Sequence, residues 1–215
     1  MKTIGDLSLR GIDWGVSLLA FTFSDRPMHM DEWKALVIGA LSVAFGYAGI
    51  GLLGVVESPL NFYGGVLAGA ILGFLVHEYS HREIARRQGC IAGFVLTQFG
   101  LALTLFSGLL RSIGVPFVIL APGYVAIYCR GFAREDYVAA AGPISNIVVA
   151  LVAMIAARFA GYSGLAFFLY GLSAINAWLA FFNLLPFSPL DGSKIVQRNP
   201  LAWLVMIIVA AWLAF

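Results

Sequence analysis

Two histidines and a glutamate lie close together at the end of a long apolar run. The segment His77-Glu78-Tyr79-Ser80-His81 has the HExxH pattern. On a helix, histidines at i and i+4 share one face and can hold one zinc ion, while the glutamate beside the first can act as general base. The five-residue pattern is only moderately specific, so its place in the chain has to support the assignment.

The alternative is that these residues are interfacial polar groups at a helix end, followed by Arg82, Arg86 and Arg87 as ordinary membrane anchors. That interpretation makes the ligand spacing accidental. An ionisable residue at membrane depth also costs roughly 2.5–3.5 kcal/mol and is a functional candidate by default. We therefore interpret the pattern as a metal site.

A tetrahedral catalytic zinc takes three protein ligands, so a third ligand is required. Asp191 is the only acidic residue after Asp136 in the sequence, and it follows a long apolar run broken by Pro186 and Pro189. It is the best candidate, although an aspartate among prolines also suits a turn. His29 has charged neighbours, and we expect it to be a solvated loop residue.

The composition indicates what surrounds this site. Of 215 residues, 61% are hydrophobic and 11% are charged, whereas soluble domains have about 25% charged residues. A water-soluble monomer is excluded, and a net charge of +2 without a basic cluster argues against nucleic acid as a partner. The partner that the composition indicates is the lipid bilayer.

Charge-free runs predict the membrane segments, because a spanning helix needs about 20 apolar residues. They predict an all-α polytopic membrane protein with about six transmembrane helices. The chain forms a single membrane-embedded domain, 1–215, with its core at about 58–192 and an interfacial N-terminal segment at 1–34 that includes the short apolar run 14–24. The seven longer runs are 35–56, 58–76, 89–110, 112–129, 137–157, 159–190 and 199–215.

Basic residues favour the cytoplasmic side of a membrane. Placing most Lys and Arg residues there brings Asp191 to the same side, and the same depth, as His77 and His81. We therefore predict an integral multi-pass protein with its active site toward the cytoplasmic side.

Glycine and proline interrupt the stretch 89–129, between the HExxH segment and the next long run. We expect a short helix or re-entrant segment in its first half and an extended segment at 115–128 in its second. Whether the stretch spans twice or folds back stays open. Cys90 and Cys129 flank it, and we interpret them as free packing residues without a role.

With these motifs placed, the chain resembles the site-2 protease family of intramembrane zinc metalloproteases. Three features in this order carry the resemblance: the HExxH segment, the run Ala141-Gly142-Pro143-Ile144-Ser145-Asn146, and the N-x-x-P-x-x-P-L-D-G run from Asn183 to Gly192. The chain looks like a minimal member, because it has no room for an inserted PDZ-like domain or a nucleotide-binding domain.

The resemblance implies a core of three helices and one zinc ion held by His77, His81 and Asp191. It also implies that Glu78 is the general base and that Asn183 and Asn146 lie near the site. In the family, the region that corresponds to 89–129 helps hold the substrate strand. Here it is unusually long and apolar.

The expected activity is regulated intramembrane proteolysis of a membrane-spanning protein substrate. Asn183, and more weakly Asn146, would support the oxyanion or the substrate backbone. The alternatives are a catalytically silent zinc-binding scaffold or a transporter with a metal site. The substrate, the cleavage position and the oligomeric state stay open.

Overall fold

A computed structural model describes residues 26–130 and 133–215 of the chain. The prediction for the apolar run 14–24 lies outside these residues. The described part is mostly helical, with one small sheet. Its helices and strands, in chain order, are α1 (Glu32–Ala48), α2 (Gly54–Glu57), α3 (Phe62–Arg87), β1 (Ile91–Leu96), α4 (Gln98–Ser112), β2 (Gly123–Tyr128), α5 (Glu135–Phe159), α6 (Gly164–Asn183), α7 (Asp191–Arg198) and α8 (Pro200–Ala214).

Four helices in the described part of the chain are long and apolar enough to cross a membrane. They are the continuous helical stretch Glu32–Glu57, which joins α1 to α2 through a 3₁₀ turn, and helices α3, α5 and α6. Helix α8 is apolar but has 15 residues, fewer than the roughly 20 that a straight span requires. A membrane protein is therefore supported; the described residues contain four long candidate spans, and the predicted count of about six is not confirmed.

Polar side chains at the helix starts explain where several of these helices begin. The Asn61 side chain accepts a hydrogen bond from Gly64 N at 2.8 Å, and Ser163 accepts one from Ala166 N at 3.2 Å. Each bond satisfies a backbone donor that has no partner inside the helix. The N-terminal ends of α3 and α6 are thus fixed by local sequence.

Helices α3, α5 and α6 pack against one another and form the core of the molecule. Gly65, Gly69 and Gly73 lie at four-residue intervals on the face of α3 that contacts α6. A methyl group on Gly65 would overlap the Phe168 carbonyl. Small residues of this kind allow two membrane helices to approach closely. The approach brings the buried polar groups of α6 within reach of α3.

The stretch 89–129 forms a small antiparallel sheet with a helix between its strands. Strands β1 and β2 pair in register from Ile91 opposite Tyr128 to Leu96 opposite Gly123. The expected extended segment is confirmed for Gly123–Tyr128. Strand β1 was not predicted, because the charge-free run 89–110 contains its apolar residues together with most of α4 and was interpreted as one membrane segment.

A disulfide joins Cys90, directly before β1, to Cys129, directly after β2. The interpretation of these two cysteines as free packing residues was therefore wrong. Their pairing follows from the strand register, which places the outer ends of the two strands side by side. The sheet contacts α3, with the Phe94 and Phe74 rings edge to face at a centroid distance of 5.4 Å.

Candidate metal centre

The HExxH segment lies within α3, and the side chains of its two histidines and its glutamate are buried in the protein. His77, Glu78 and His81 have exposed fractions of only 5%, 8% and 7%. The two imidazoles lie on one face of the helix, with their Nε2 atoms 3.0 Å apart. Helix geometry thus brings two candidate metal ligands together, as the spacing predicted.

Asp191 reaches the same point from the other end of the core. Its Oδ2 atom lies 3.4 Å from His77 Nε2 and 3.2 Å from His81 Nε2. Among the described residues, these three form the group of His, Cys, Asp and Glu side chains close enough to share a metal ion. Burial opposes ionisation of this carboxyl, but the adjacent His81 and His77 imidazoles hold the pKa of Asp191 below its usual value.

The break between α6 and α7 explains how Asp191 comes to this position. Helix α6 ends at Asn183, and α7 begins at Asp191 itself. Gly192 packs against the backbone of Leu184 so closely that a Cβ atom would overlap its carbonyl oxygen. The Trp203 indole of α8 donates to the same carbonyl at 2.7 Å. The returning chain is therefore held against the end of α6, and its first acidic side chain faces α3.

The donor set fits a zinc ion. The three ligand atoms form a triangle with sides of 3.0–3.4 Å, close to the roughly 3.3 Å that ligands about 2.0–2.1 Å from a tetrahedral zinc would have. Two imidazoles and one carboxylate also match the ligand types of catalytic zinc sites, which keep a fourth position open.

Each histidine is oriented through its other ring nitrogen. His77 Nδ1 lies 2.6 Å from the side-chain oxygen of Asn146, and His81 Nδ1 lies 2.7 Å from the backbone oxygen of Val138. Both partners belong to α5. Metal-binding histidines almost always donate their second ring N–H to such an oxygen, which fixes the ring and its tautomer.

Gly142, also in α5, leaves the space that the two imidazoles occupy. A Cβ atom there would lie 2.6 Å from His77 Nε2 and would also overlap His81 Nε2. The absence of a side chain at position 142 thus lets the α5 backbone approach the two imidazoles closely. Gly142 and the Val138 carbonyl were not identified as site groups from the sequence.

Glu78 follows His77 directly on α3 and borders open space. It lines a cavity of about 290 Å³ between α1 and α3, together with Leu36, Leu75, Tyr79 and Phe94. Val76, Glu32 and Arg82 also line this cavity, and Glu32 and Arg82 form an ion pair of 3.0 Å. The candidate base therefore adjoins open space next to the metal ligands.

The structure places the two predicted amides differently. Asn146 is fully buried and contacts His77, so it lies against the ligand set. Asn183 is partly buried at the end of α6, and its amide donates to Leu179 O in its own helix at 2.9 Å. His29 is exposed, as predicted.

Asn176 is a buried amide that sequence reasoning missed. It lies in the centre of α6 with no exposed surface and bonds to Asn146. An amide within a strongly apolar helix is a sequence signal in its own right, because polar groups in such helices bond across to neighbouring helices.

A helical membrane core that presents an HExxH segment and a distant aspartate to one point defines a zinc-metalloprotease type of centre. The chain is 32% identical over 192 residues to a Methanocaldococcus jannaschii protein named "Putative zinc metalloprotease MJ0611", covering 86% of this chain and 91% of that protein. The chain belongs to the site-2 protease family of zinc metalloproteases. No family model and no solved structure matches it.

Proposed function

We propose that this protein is an intramembrane zinc endopeptidase that cleaves transmembrane segments of membrane-anchored proteins. The observation that carries the proposal is the convergence of His77, His81 and Asp191 beside Glu78, within a bundle of helices long enough to span a bilayer. The relative's name supports the zinc-protease chemistry, and the burial of the ligands among apolar helices supports its location in the membrane.

The chemistry divides among residues of this chain. A zinc ion held by His77, His81 and Asp191 would polarise the scissile carbonyl and acidify a water. Glu78 would serve as the general base toward a water at this site and then as the proton donor to the leaving nitrogen. The cavity that Glu78 lines offers space beside the carboxylate for a water and a substrate chain.

The substrate helix has to unwind locally before cleavage, because its carbonyls are bonded within the helix. We propose that the opened strand pairs with the extended segment that ends in β2. The outer edge of β1, which faces away from β2, already has partners: Leu96 O accepts from Met28 N at 2.9 Å, and Phe94 N donates to Glu32 at 3.0 Å. For this reason we assign the substrate strand to β2 rather than to β1. Strand addition supplies affinity through main-chain hydrogen bonds with little demand on sequence.

Asn183 is proposed to support the oxyanion or the substrate backbone. Its amide bonds within α6, so this role requires the side chain to turn toward the substrate. Asn146 is less suited to it, because its amide group is committed to other partners.

We assign the site to the cytoplasmic side and the protein to a multi-pass topology. The support is the sequence distribution of Lys and Arg, since Arg82, Arg86 and Arg87 follow the HExxH residues within two helical turns and basic residues favour the cytoplasmic side.

The test is cleavage of a membrane-anchored reporter by wild-type protein and by Glu78→Gln in the same vesicles. We expect cleavage by the wild type and loss of at least about 100-fold in the variant, the range general-base catalysis supplies, while zinc stays bound. Equal cleavage by both proteins would contradict the proposal. Zinc binding without any cleavage by the wild type would favour the zinc-binding scaffold.

A further inference from the structure

A continuous chain of buried side-chain amides leads from α6 to the first metal ligand. Asn176 Oδ1 accepts a hydrogen bond from Asn146 Nδ2 at 2.9 Å, and Asn146 Oδ1 lies 2.6 Å from His77 Nδ1. Both asparagines have no exposed surface. The chain connects three helices, α6, α5 and α3, and ends on the ring that carries a candidate ligand atom.

Backbone carbonyls fix the orientation of the first amide. Asn176 Nδ2 lies 3.1 Å from Gly69 O and 2.9 Å from Leu172 O. A carbonyl oxygen can only accept, so the atom that faces these two carbonyls must be the NH2 group. The side-chain oxygen of Asn176 is therefore turned toward Asn146.

The second amide is fixed in the same way. Asn146 Nδ2 lies near two acceptors, Asn176 Oδ1 and Gly73 O, the latter at 3.1 Å. Its oxygen must then face His77, and an amide oxygen can only accept. His77 consequently carries its proton on Nδ1 and keeps the lone pair on Nε2, the nitrogen that faces His81 and Asp191.

We propose that Asn176 is a positioning residue for the metal site, acting on His77 through Asn146. This inference rests on the proposed metal site but not on the proposed peptidase activity. Without the Asn176 oxygen, the Asn146 amide loses one of the two acceptors that hold its orientation. A reversed amide would present NH2 to His77 Nδ1 and favour the tautomer that is protonated on Nε2, which cannot bind a metal there.

The packing around Asn176 is built for this contact. A Cβ atom on Gly73 would overlap the side-chain oxygen of Asn176, so the absence of a side chain at position 73 is what admits the amide. Gly73 also supplies the carbonyl that orients Asn146. The same residue of α3 thus makes room for one amide and orients the other.

The test compares zinc affinity in Asn176→Leu and in a matched control, Ser173→Ala. Ser173 is also buried in α6, and its hydroxyl donates to Ala150 O of α5 at 2.9 Å. Each substitution removes a buried hydrogen bond between the same two helices, but the control leaves the amide chain intact. Affinity is measured by competition with a chelator in detergent, and thermal unfolding of the zinc-free proteins is measured alongside.

We expect zinc affinity to fall about 10- to 100-fold in Asn176→Leu, the range for loss of groups that orient metal-bound histidines, and to stay unchanged in Ser173→Ala. The absorption spectrum of the Co²⁺-substituted Asn176→Leu protein should change as well. Wild-type affinity in Asn176→Leu, or an equal fall in both variants, would overturn the inference.

A measurement on the wild-type protein serves if Asn176→Leu does not fold. Nitrogen-15 spectra of the histidine rings in the zinc-loaded protein should show the His77 proton on Nδ1, with the signal assigned from the spectrum of His77→Ala. A proton on Nε2 would overturn the inference. A wild-type protein without zinc affinity would overturn both the metal site and this inference, whereas an inactive wild type that binds zinc would overturn only the peptidase proposal.

Discussion

The two sides of the candidate site are built differently. On the ligand side, His77 and His81 are buried, and each ring is oriented through its second nitrogen by an oxygen of α5. On the base side, Glu78 borders a cavity of about 290 Å³ that is closed at one wall by an ion pair of two partly exposed side chains. The groups that would hold the metal are thus fixed by packing and hydrogen bonds, whereas the group that would meet water and substrate borders open space.

This difference has a functional rationale. A metal site needs its ligands fixed to fractions of an ångström, which packing and second hydrogen bonds supply. A peptidase also has to admit a chain and a water, which requires space beside the base. Changes on the ligand side should therefore alter zinc affinity, and changes on the base side should alter stability or access while zinc affinity persists.

Gly142→Ala is expected to have the largest effect. The added methyl group would lie 2.6 Å from His77 Nε2 and would force the ligand triangle apart, so no stoichiometric zinc should remain bound. Zinc content of the purified protein measures this. Gly54→Ala is the control, because a Cβ atom there would have its nearest neighbour, in the Tyr63 ring, at 3.3 Å and would contact none of the three ligands. Full zinc in Gly142→Ala would contradict the site geometry.

Removal of the disulfide is expected to have a large effect of a different kind. The bridge closes a separation of 39 residues, and loss of such a loop constraint costs about 4 kcal/mol of stability in the chain-entropy model. The double variant Cys90→Ala, Cys129→Ala should unfold at lower temperature but keep its zinc affinity. A fall in zinc affinity comparable with that of Asn146→Ala would contradict the expectation that the bridge stabilises the sheet without positioning the ligands.

Asn146→Ala removes the oxygen that orients His77 and should lower zinc affinity by about 10- to 100-fold. Ser145→Ala is the neighbouring control, since within the described part of the chain the Ser145 hydroxyl donates to Gly142 O of its own helix at 2.7 Å and not to a ligand. Chelator competition on both proteins measures the effect. Unchanged affinity in Asn146→Ala would show that the amide is not required to orient the ligand.

Glu32→Gln is expected to have the smallest effect. The variant loses the charge that pairs with Arg82 but keeps an oxygen for the Phe94 N–H. Partly exposed ion pairs contribute at most about 1 kcal/mol, so thermal stability should fall slightly and zinc affinity should not change. Asp31→Asn, at an exposed pair with Lys34, is the control and should have no measurable effect. A stability loss well above 1 kcal/mol would indicate that Glu32 also supports α1.

Local spacing and the scarcity of charge made the ligand set predictable. His77 and His81 are four residues apart, and Asp191 is the only acidic residue in the last third of the chain. The groups that orient the ligands were not predictable in the same way. The Val138 carbonyl and Gly142 act through contacts between helices, and every residue has a carbonyl.

The fold was likewise predictable in part: the long helices could be predicted from the sequence, and the small sheet could not. The long helices α3, α5 and α6 correspond to charge-free runs, because length and apolarity decide membrane helices. Strand β1 was missed because an apolar run of six residues is compatible with either a strand or a helix. The disulfide was missed because the pairing of the cysteines depends on the register of two strands that α4 separates in the sequence.

The central claim is that His77, His81 and Asp191 hold one zinc ion. The most direct test is the zinc content of the purified wild type beside that of His77→Ala and Asp191→Ala, by elemental analysis of folded protein in detergent. The account predicts one zinc per chain in the wild type and loss of stoichiometric zinc in both variants. Full retention of zinc by both variants would contradict it.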